Sequence, residues 1–249
     1  MIKDAVILAA GQGRRLWPFT QNVPKCLLDV GGETILECQV RALRSSKIDR
    51  ITIVVGHQGD RIRTLLGDTV SYVENPDYLD TSSMYSLWLA RDFLRAQRGF
   101  LVLNSDVLFH IGILQAVLDS PFKDALAVDF DAALNEEAMK VVVRDRRVVV
   151  LGKELTGGHG ENVGMVKVSA ETSPIFFSTI ESLLESEKRR AMVPDAVAAI
   201  AESCPIYAVP VDGLPWIEID FPEDYRWARE RVYPALLTDM SCASKSPRA

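Results

Sequence analysis

The run Asp4–Ala9 empties without a spacer into Ala10-Gly11-Gln12-Gly13-Arg14-Arg15, and no other feature of the chain restricts its fold as much. An apolar strand that ends in small residues leaves backbone N–H groups uncovered at its carboxyl end, where an anion can approach them closely. Arg14 and Arg15, with Lys25 ten positions on, add positive charge to the same loop. Polyphosphate is the guest these residue types suit. A dinucleotide fingerprint G-x-G-x-x-G would need glycine where Leu16 stands, and no G-x-x-x-x-G-K-S/T run exists, so neither common glycine motif is present.

The rest of the chain supports an α/β reading. Apolar runs at Asp4–Ala9, Ile51–Val55, Val70–Glu74 and Phe100–Asn104 predict strands, while helical stripes at Thr34–Arg44 and Ser82–Arg95 fall between them. This alternation predicts a mainly parallel, Rossmann-like sheet flanked by helices, with the site at the carboxyl ends of its strands. From 125 to 168 the texture changes to short runs (Ala125–Phe130, Lys140–Val143, Arg147–Leu151, Val163–Val168) separated by polar turns and Gly157-Gly158, which predicts a small antiparallel insertion forming a lid. Helices are expected at Glu171–Ser186, Asp195–Glu202 and Glu223–Leu237, and a strand at Tyr207–Val209. Residues 1–237 thus form one expected domain, and the tail from Thr238 to Ala249 has no periodicity and is expected to be disordered.

Composition narrows the partners. With 28 Lys and Arg against 34 Asp and Glu, the net charge of −6 argues against nucleic acid. The longest apolar runs, Ala5–Ala10 and Ala196–Ala201, are six residues each, far below the ~20 of a membrane helix. The first residues, Met1-Ile2-Lys3-Asp4, lack the long apolar stretch of a secretory signal, so a cytoplasmic location is expected. Cysteines at 26, 38, 204 and 242 form no C-x-x-C pair and read as reduced thiols, and His57, His110 and His159 are too scattered to suggest a metal site. The oligomeric state is left open, a homodimer included.

The stretch Leu8-Ala9-Ala10-Gly11-Gln12-Gly13-Arg14-Arg15-Leu16-Trp17-Pro18-Phe19-Thr20, followed by Pro24-Lys25-Cys26-Leu27-Leu28, resembles the signature L-A-A-G-x-G-x-R-L-x-P-x-T…P-K-x-L-L. That signature belongs to nucleotidyltransferases, glycosyltransferase-A-like in fold, which activate a phosphorylated small molecule with a nucleoside triphosphate. The resemblance implies that Ala9, Ala10, Gly11 and Gly13 hold the nucleotide, that Arg15 meets the β and γ phosphates and that Lys25 sits by the α phosphate. Asn75-Pro76-Asp77-Tyr78, Ser82 to Ala90, Asn104-Ser105-Asp106-Val107, Gly152-Lys153, Gly160 to Gly164 and Trp216 to Asp220 are similar to the cytidylyltransferase branch acting on phosphocholine and small phosphonates. CTP and a small phosphorylated or phosphonate acceptor are the implied substrates. A sugar-1-phosphate nucleotidyltransferase using UTP or dTTP is the alternative, and a nucleotide-binding regulator without turnover is a third reading. Ser83 stands where the branch commonly has asparagine, at a position that meets the base.

Asp106 and Asp220 each end a strand-like run, and such hard oxygen ligands suit Mg²⁺, which takes one or two protein carboxylates and keeps several waters. The resemblance assigns this pair to Mg²⁺, and it counts Arg15, Lys25, Asp106 and Asp220 as the catalytic set. It also implies that Lys153 grips the acceptor's phosphate, with Lys167 a weaker substitute. The acidic residues Asp129, Asp131, Glu136 and Glu137 open the insertion, and Asp129 and Asp131, with Tyr85, Glu161 and Trp216, are candidates to hold a cationic head group. Glu136 and Glu137 read as solvated residues.

Overall fold

The structure is a computed structural model that describes residues 2–94, 98–186 and 188–243, with side chains through Thr238. Met1, Arg95 of the expected second helix, and Ser244–Ala249 of the expected tail lie outside the described residues. The first part runs β1 (Asp4–Ala9), α1 (Ile35–Ser45), β2 (Arg50–Val55), α2 (Gly59–Leu66), β3 (Ser71–Glu74), α3 (Ser83–Leu89), α4 (Arg91–Leu94), β4 (Phe100–Asn104), β5 (Val107–Phe109) and α5 (Ile111–Asp119). It continues with β6 (Ala125–Asp129), β7 (Lys140–Arg144), β8 (Arg147–Gly152), β9 (Gly160–Val168), α6 (Ser173–Glu185), α7 (Val193–Ile200), β10 (Tyr207–Pro210), β11 (Trp216–Glu218), α8 (Pro222–Trp227) and α9 (Tyr233–Ala243). A π-helical turn at Ala228–Val232 joins α8 to α9.

Nine strands form one sheet in the order β3-β2-β1-β4-β9-β6-β10-β8-β7. β1 pairs in parallel with β2 and β4, while β9 runs antiparallel to both β4 and β6. Strand alternation divides the core. Ala5, Ile7 and Ala9 point to one face, against Leu36, Leu43 and Ile62 of α1 and α2 and Ile113, Leu114 and Val117 of α5. Val6 and Leu8 point to the other, against Met84 and Leu87 of α3, Phe176 and Ile180 of α6, and Val197 and Ile200 of α7. A third cluster, with Leu16, Leu108, Ile219 and Val232, lies where β5 and β11 pair as a separate two-stranded ribbon.

The sheet is Rossmann-like with helices on both faces, as the alternation predicts, but its antiparallel part begins inside it. Ala125–Val128 and Met165–Val168 are buried, because β6 and β9 lie between β4 and β10 and bury both of their faces. The β7–β8 hairpin also belongs to this sheet, with Val141, Val148 and Leu151 in the second core cluster, so the expected insertion is built into the sheet and is not a separate lid. The C-terminal helix also differs from expectation, running past Leu237 to Ala243 after the π-helical turn. The helix expected over Ser82–Arg95 is broken at Ala90 into α3 and α4. The unforeseen α5 is apolar on most of its circumference and carries Gly112, so no 3.6-residue contrast marks it; His110 caps it by accepting from Gly112 N at 3.1 Å. By contrast, α1 starts where its sequence says, with Thr34 and Glu37 exchanging the two hydrogen bonds of a capping box.

The carboxyl ends of β1 and β2 are packed tightly enough to require glycine. A Cβ on Gly56 would stand 2.7 Å from Ala10 O and 2.9 Å from Tyr78 Cβ, and Ala10 O already accepts from His57 N at 3.0 Å. Because the obstructing atoms are backbone and core, Gly56→Ala should lower stability by about 1–3 kcal/mol, the usual cost of overpacking. Urea unfolding checks this: an unchanged midpoint would mean that the loop after β1 moves freely and is not held by this contact.

Candidate active site

The loop after β1 opens onto a cleft of about 470 Å³. Ala9, Ala10, Gly11 and Gly13 line it, and open space stands where a Cβ on Gly11 would be. Gly13 has φ of +61°, a left-handed conformation that glycine adopts without strain, and its carbonyl accepts from Thr20 Oγ1 at 2.7 Å. The chain then enters a short 3₁₀ turn at Arg14–Leu16, which anchors Leu16 in the third core cluster and leaves Arg15 at the cleft.

Asp106 and Asp220 are far apart in sequence and meet because β5 and β11 pair antiparallel, with Val107 opposite Glu218. Ile219 N extends this ladder by donating to Asp106 O at 3.0 Å. Lys25, on a 3₁₀ turn at Lys25–Leu27, places its Nζ between the two carboxylates: it donates to Asp106 Oδ2 at 2.9 Å and also to Asp220 Oδ1. Arg15 Nη2 donates to the second oxygen of Asp220 at 2.7 Å. A capping aspartate is the ordinary reason for Asp before Pro222, but that work falls to Asp224, whose Oδ2 accepts from Asp220 N and Phe221 N at 3.0 and 2.7 Å. The Asp220 carboxylate is thereby left to face the cleft.

Burial would lower the pKa of Lys25, but the fields and hydrogen bonds of Asp106 and Asp220 outweigh it and hold the ammonium above its usual value. Asp220 is the mirror case: burial would raise its pKa, and Lys25 and Arg15 keep it below the usual carboxylate range. Glu218 lines the same cleft, and burial, reinforced by Asp106 and Asp220 and only partly offset by Lys25 and Lys153, pushes its carboxyl up to about 8. Asp106 Oδ1 is buried and has no hydrogen-bond partner among the described residues. A hard oxygen in that condition beside a second carboxylate fits a divalent cation, which would satisfy it. No group of three or more His, Cys, Asp or Glu side chains among the described residues stands ready to hold a metal, so the carboxylates offer an open arrangement and not a closed cage.

Lys153, on the turn after β8, also lines the cleft. Its Nζ lies 3.1 Å from Glu137 Oε2, the same oxygen that accepts from Arg15 Nη1 at 2.8 Å. The two cations keep the Glu137 carboxyl below its usual range. Glu137, read from sequence as solvated, thus ties Arg15 to Lys153 across the mouth of the cleft, and Asn135 Oδ1 holds the turn by accepting from Glu137 N and Ala138 N. No local pattern could have shown the link, since Arg15 lies 122 residues away. Glu218 was more accessible to sequence reasoning: a carboxylate alternating with Ile217 and Ile219 in an apolar stretch is an unusual inward-facing charge.

The remaining acceptor candidates do not line the cleft. Asp129 is turned to other work: its Oδ2 accepts from Trp216 Nε1 at 2.8 Å and its Oδ1 from Asp131 N at 3.0 Å. Trp216 and Asp131 are engaged by those same bonds. Glu161 lies opposite Asp129 in the sheet, and burial, with Asp129 beside it, raises its pKa. Tyr85 stacks on Trp88 at 5.6 Å and donates to Asp77 Oδ2 at 3.2 Å. Ser83 does line the cleft, but its hydroxyl accepts from Val193 N at 3.1 Å, so part of its hydrogen-bonding capacity is spent on the start of α7. Lys167 is buried and donates to Ser120 Oγ at 2.7 Å, a structural contact.

Removing Lys25 should leave Asp106 without its cation and Asp220 with Arg15 alone. Lys25→Met is therefore expected to be less stable than the native chain by a few kcal/mol at neutral pH, about the cost of breaking a buried ion pair. The folded-state pKa of Asp220 is depressed, so its contribution is present above the unfolded carboxylate value near ~3.9 and is lost as pH falls through the folded value. The stability gap between native and Lys25→Met should accordingly narrow below about pH 4, which chemical denaturation at a series of pH values measures; a gap that stays constant into acid would show the lysine is not compensating carboxylates.

Known proteins resemble this chain in sequence and in fold. The family profile described as MobA-like NTP transferase domain matches residues 5–172. The bifunctional IPC transferase and DIPP synthase of Aquifex aeolicus is 27% identical over 235 residues, covering 92% of this chain and 52% of that protein. The CTP:phosphoglutamine cytidylyltransferase of Campylobacter jejuni is 25% identical over 246 residues, covering 89% of this chain and 97% of that protein. The inositol-1-phosphate CTP transferase of T. maritima superposes with a TM-score of 0.81 at 22% identity, covering 100% of this chain and 98% of that one. The chain spans about half the length of the first curated relatives it matches. With two thirds of its residues inside the family profile, glycine loop and Asp106 included, the chain belongs to the MobA-like NTP transferase family.

Proposed function

We propose that this nucleotidyltransferase moves CMP from CTP to a phosphate or phosphonate oxygen of a small acceptor and releases pyrophosphate. The observation that carries the reading is the convergence of Arg15, Lys25, Asp106 and Asp220 at the glycine loop, in a cleft that Lys153 also lines. The acceptor anion is already a nucleophile. Its oxygen bonds to the α-phosphorus of CTP as the bond from that phosphorus to the bridging oxygen of the β-phosphate breaks, and the electron pair leaves with pyrophosphate. No covalent intermediate with the protein is required, so the chain's task is alignment and charge compensation.

In this reading the backbone around Ala10–Gly13 and the Arg15 guanidinium take the β and γ phosphates, and Lys25 meets the α phosphate. Lys153 holds the acceptor's anionic end, so that the attacking oxygen is aimed in line with the bond that breaks. Asp106 and Asp220 would hold Mg²⁺, which supplies positive charge against the triphosphate and the departing pyrophosphate. The choice of CTP is supported by the Campylobacter relative, which aligns over 97% of its length and is named a CTP-dependent cytidylyltransferase.

A panel of CTP, UTP, dTTP, ATP and GTP with Mg²⁺ and a mixture of phosphocholine, 2-aminoethylphosphonate, a hydroxyalkyl phosphonate and a polyol phosphate tests the reading by pyrophosphate release and product mass. CTP should give the highest rate and a product heavier than one acceptor by a CMP unit. Lys153→Ala should raise the acceptor KM well above any change in the CTP KM. Faster turnover with UTP or dTTP would assign the chain to sugar-1-phosphate chemistry, and CTP bound without product over long incubation would assign it to regulation.

A further inference from the structure

Asp106 sits in a two-residue connection between β4 and β5, and that connection is gripped from beneath by one side chain. Gln39, on α1, is 1% exposed. Its Nε2 donates to Asn104 O at 2.8 Å and to Val107 O at 2.7 Å, the carbonyls that bracket Ser105-Asp106. Two carbonyl acceptors fix the orientation of the amide, since only the nitrogen carries hydrogens, and both of its hydrogens are consumed. Gln39 Oε1 is consequently buried, with no hydrogen-bond partner among the described residues.

An unsatisfied buried acceptor is a standing cost to the fold, and neighbouring positions on the same helix face, Leu36, Val40 and Leu43, pack the core with apolar side chains. An apolar residue at 39 would fill the same space without the orphaned oxygen, but would release the two carbonyls. We propose that Gln39 is a positioning residue for the nucleotidyl transfer: it holds the Asn104–Val107 turn so that the Asp106 carboxylate stands beside Lys25 and Asp220. The Ile219 N bond to Asp106 O pins the turn from the β11 side, and Gln39 supplies the second restraint from α1. This rests on the reading of Asp106 as a working carboxylate.

Gln39→Met keeps a side chain of similar length and removes both donors. In the full chain it should lower kcat on the order of 10²-fold, the scale of a misplacement near 1 Å at a reacting centre, while the CTP affinity measured by calorimetry without Mg²⁺ changes less than about threefold. Placed on an Asp106→Asn background, Gln39→Met should cost little further rate, because the group it positions is already gone. A role confined to packing would instead lower both rates by the same factor. If the methionine variant does not fold, Gln39→Asn keeps the amide but draws it back by one methylene and should show the same selective loss of kcat. A Gln39→Met enzyme with kcat within twofold of native, or with an undiminished loss on the Asp106→Asn background, overturns the positioning role. Near-native turnover by Asp106→Asn alone overturns the underlying reading of the carboxylate, and that result is distinct from either outcome at Gln39.

Discussion

The architecture around the cleft turns on a single ammonium group shared by two carboxylates. Asp106 and Asp220 approach each other so closely that one Lys25 nitrogen bonds to both, and in a partly buried setting their mutual repulsion would be severe without it. Each of the three groups is carried by a different part of the fold: the turn after β4, the segment after β11, and the 3₁₀ turn preceding α1. Their meeting therefore depends on the β5–β11 ribbon and on the third core cluster that supports it. Behind the carboxylates, Gln39 fixes the first turn and Asp224 the second, so that the cluster is held by uncharged or backbone-directed contacts while its charges face the cleft.

The same logic extends to the mouth of the cleft. Arg15 and Lys153, the cations expected to meet two different substrates, are linked through one oxygen of Glu137. Ion pairs this exposed contribute little to stability, so their value lies in where they hold the two side chains. Asp129 and Trp216 hydrogen-bond to each other away from the cleft, whose lining includes Lys153, Met139 and Asn162.

The elements legible in the sequence were those whose local pattern and tertiary position agree. β1, β2 and β4 are buried on both faces and read as uninterrupted apolar runs, and α1 announces itself with Thr34 and Glu37. The glycine loop was legible for the same reason, since a small-residue turn after a buried strand needs no distant information. Where tertiary context decided, local reading was incomplete. β6 and β9 have the texture of a detached antiparallel unit but are inserted beside β4, and α5 lacks the polar face that marks an amphipathic helix. Asp129 looked like a ligand because it is a charge in an apolar strand, yet its partner is the indole of Trp216 from a strand far along the chain. Glu137 is exposed, as its sequence context suggests, but its link to Arg15 joins residues far apart in the chain.

We propose that Asp106 and Asp220 act together as the cation-binding pair of a nucleotide site. Calorimetric titration of CTP with and without Mg²⁺, in the native chain and in the Asp106→Asn/Asp220→Asn double variant, tests it most directly. The geometry predicts that Mg²⁺ strengthens CTP binding to the native chain severalfold or more and that the double variant loses this enhancement while remaining folded. An equal Mg²⁺ enhancement in both proteins would contradict it.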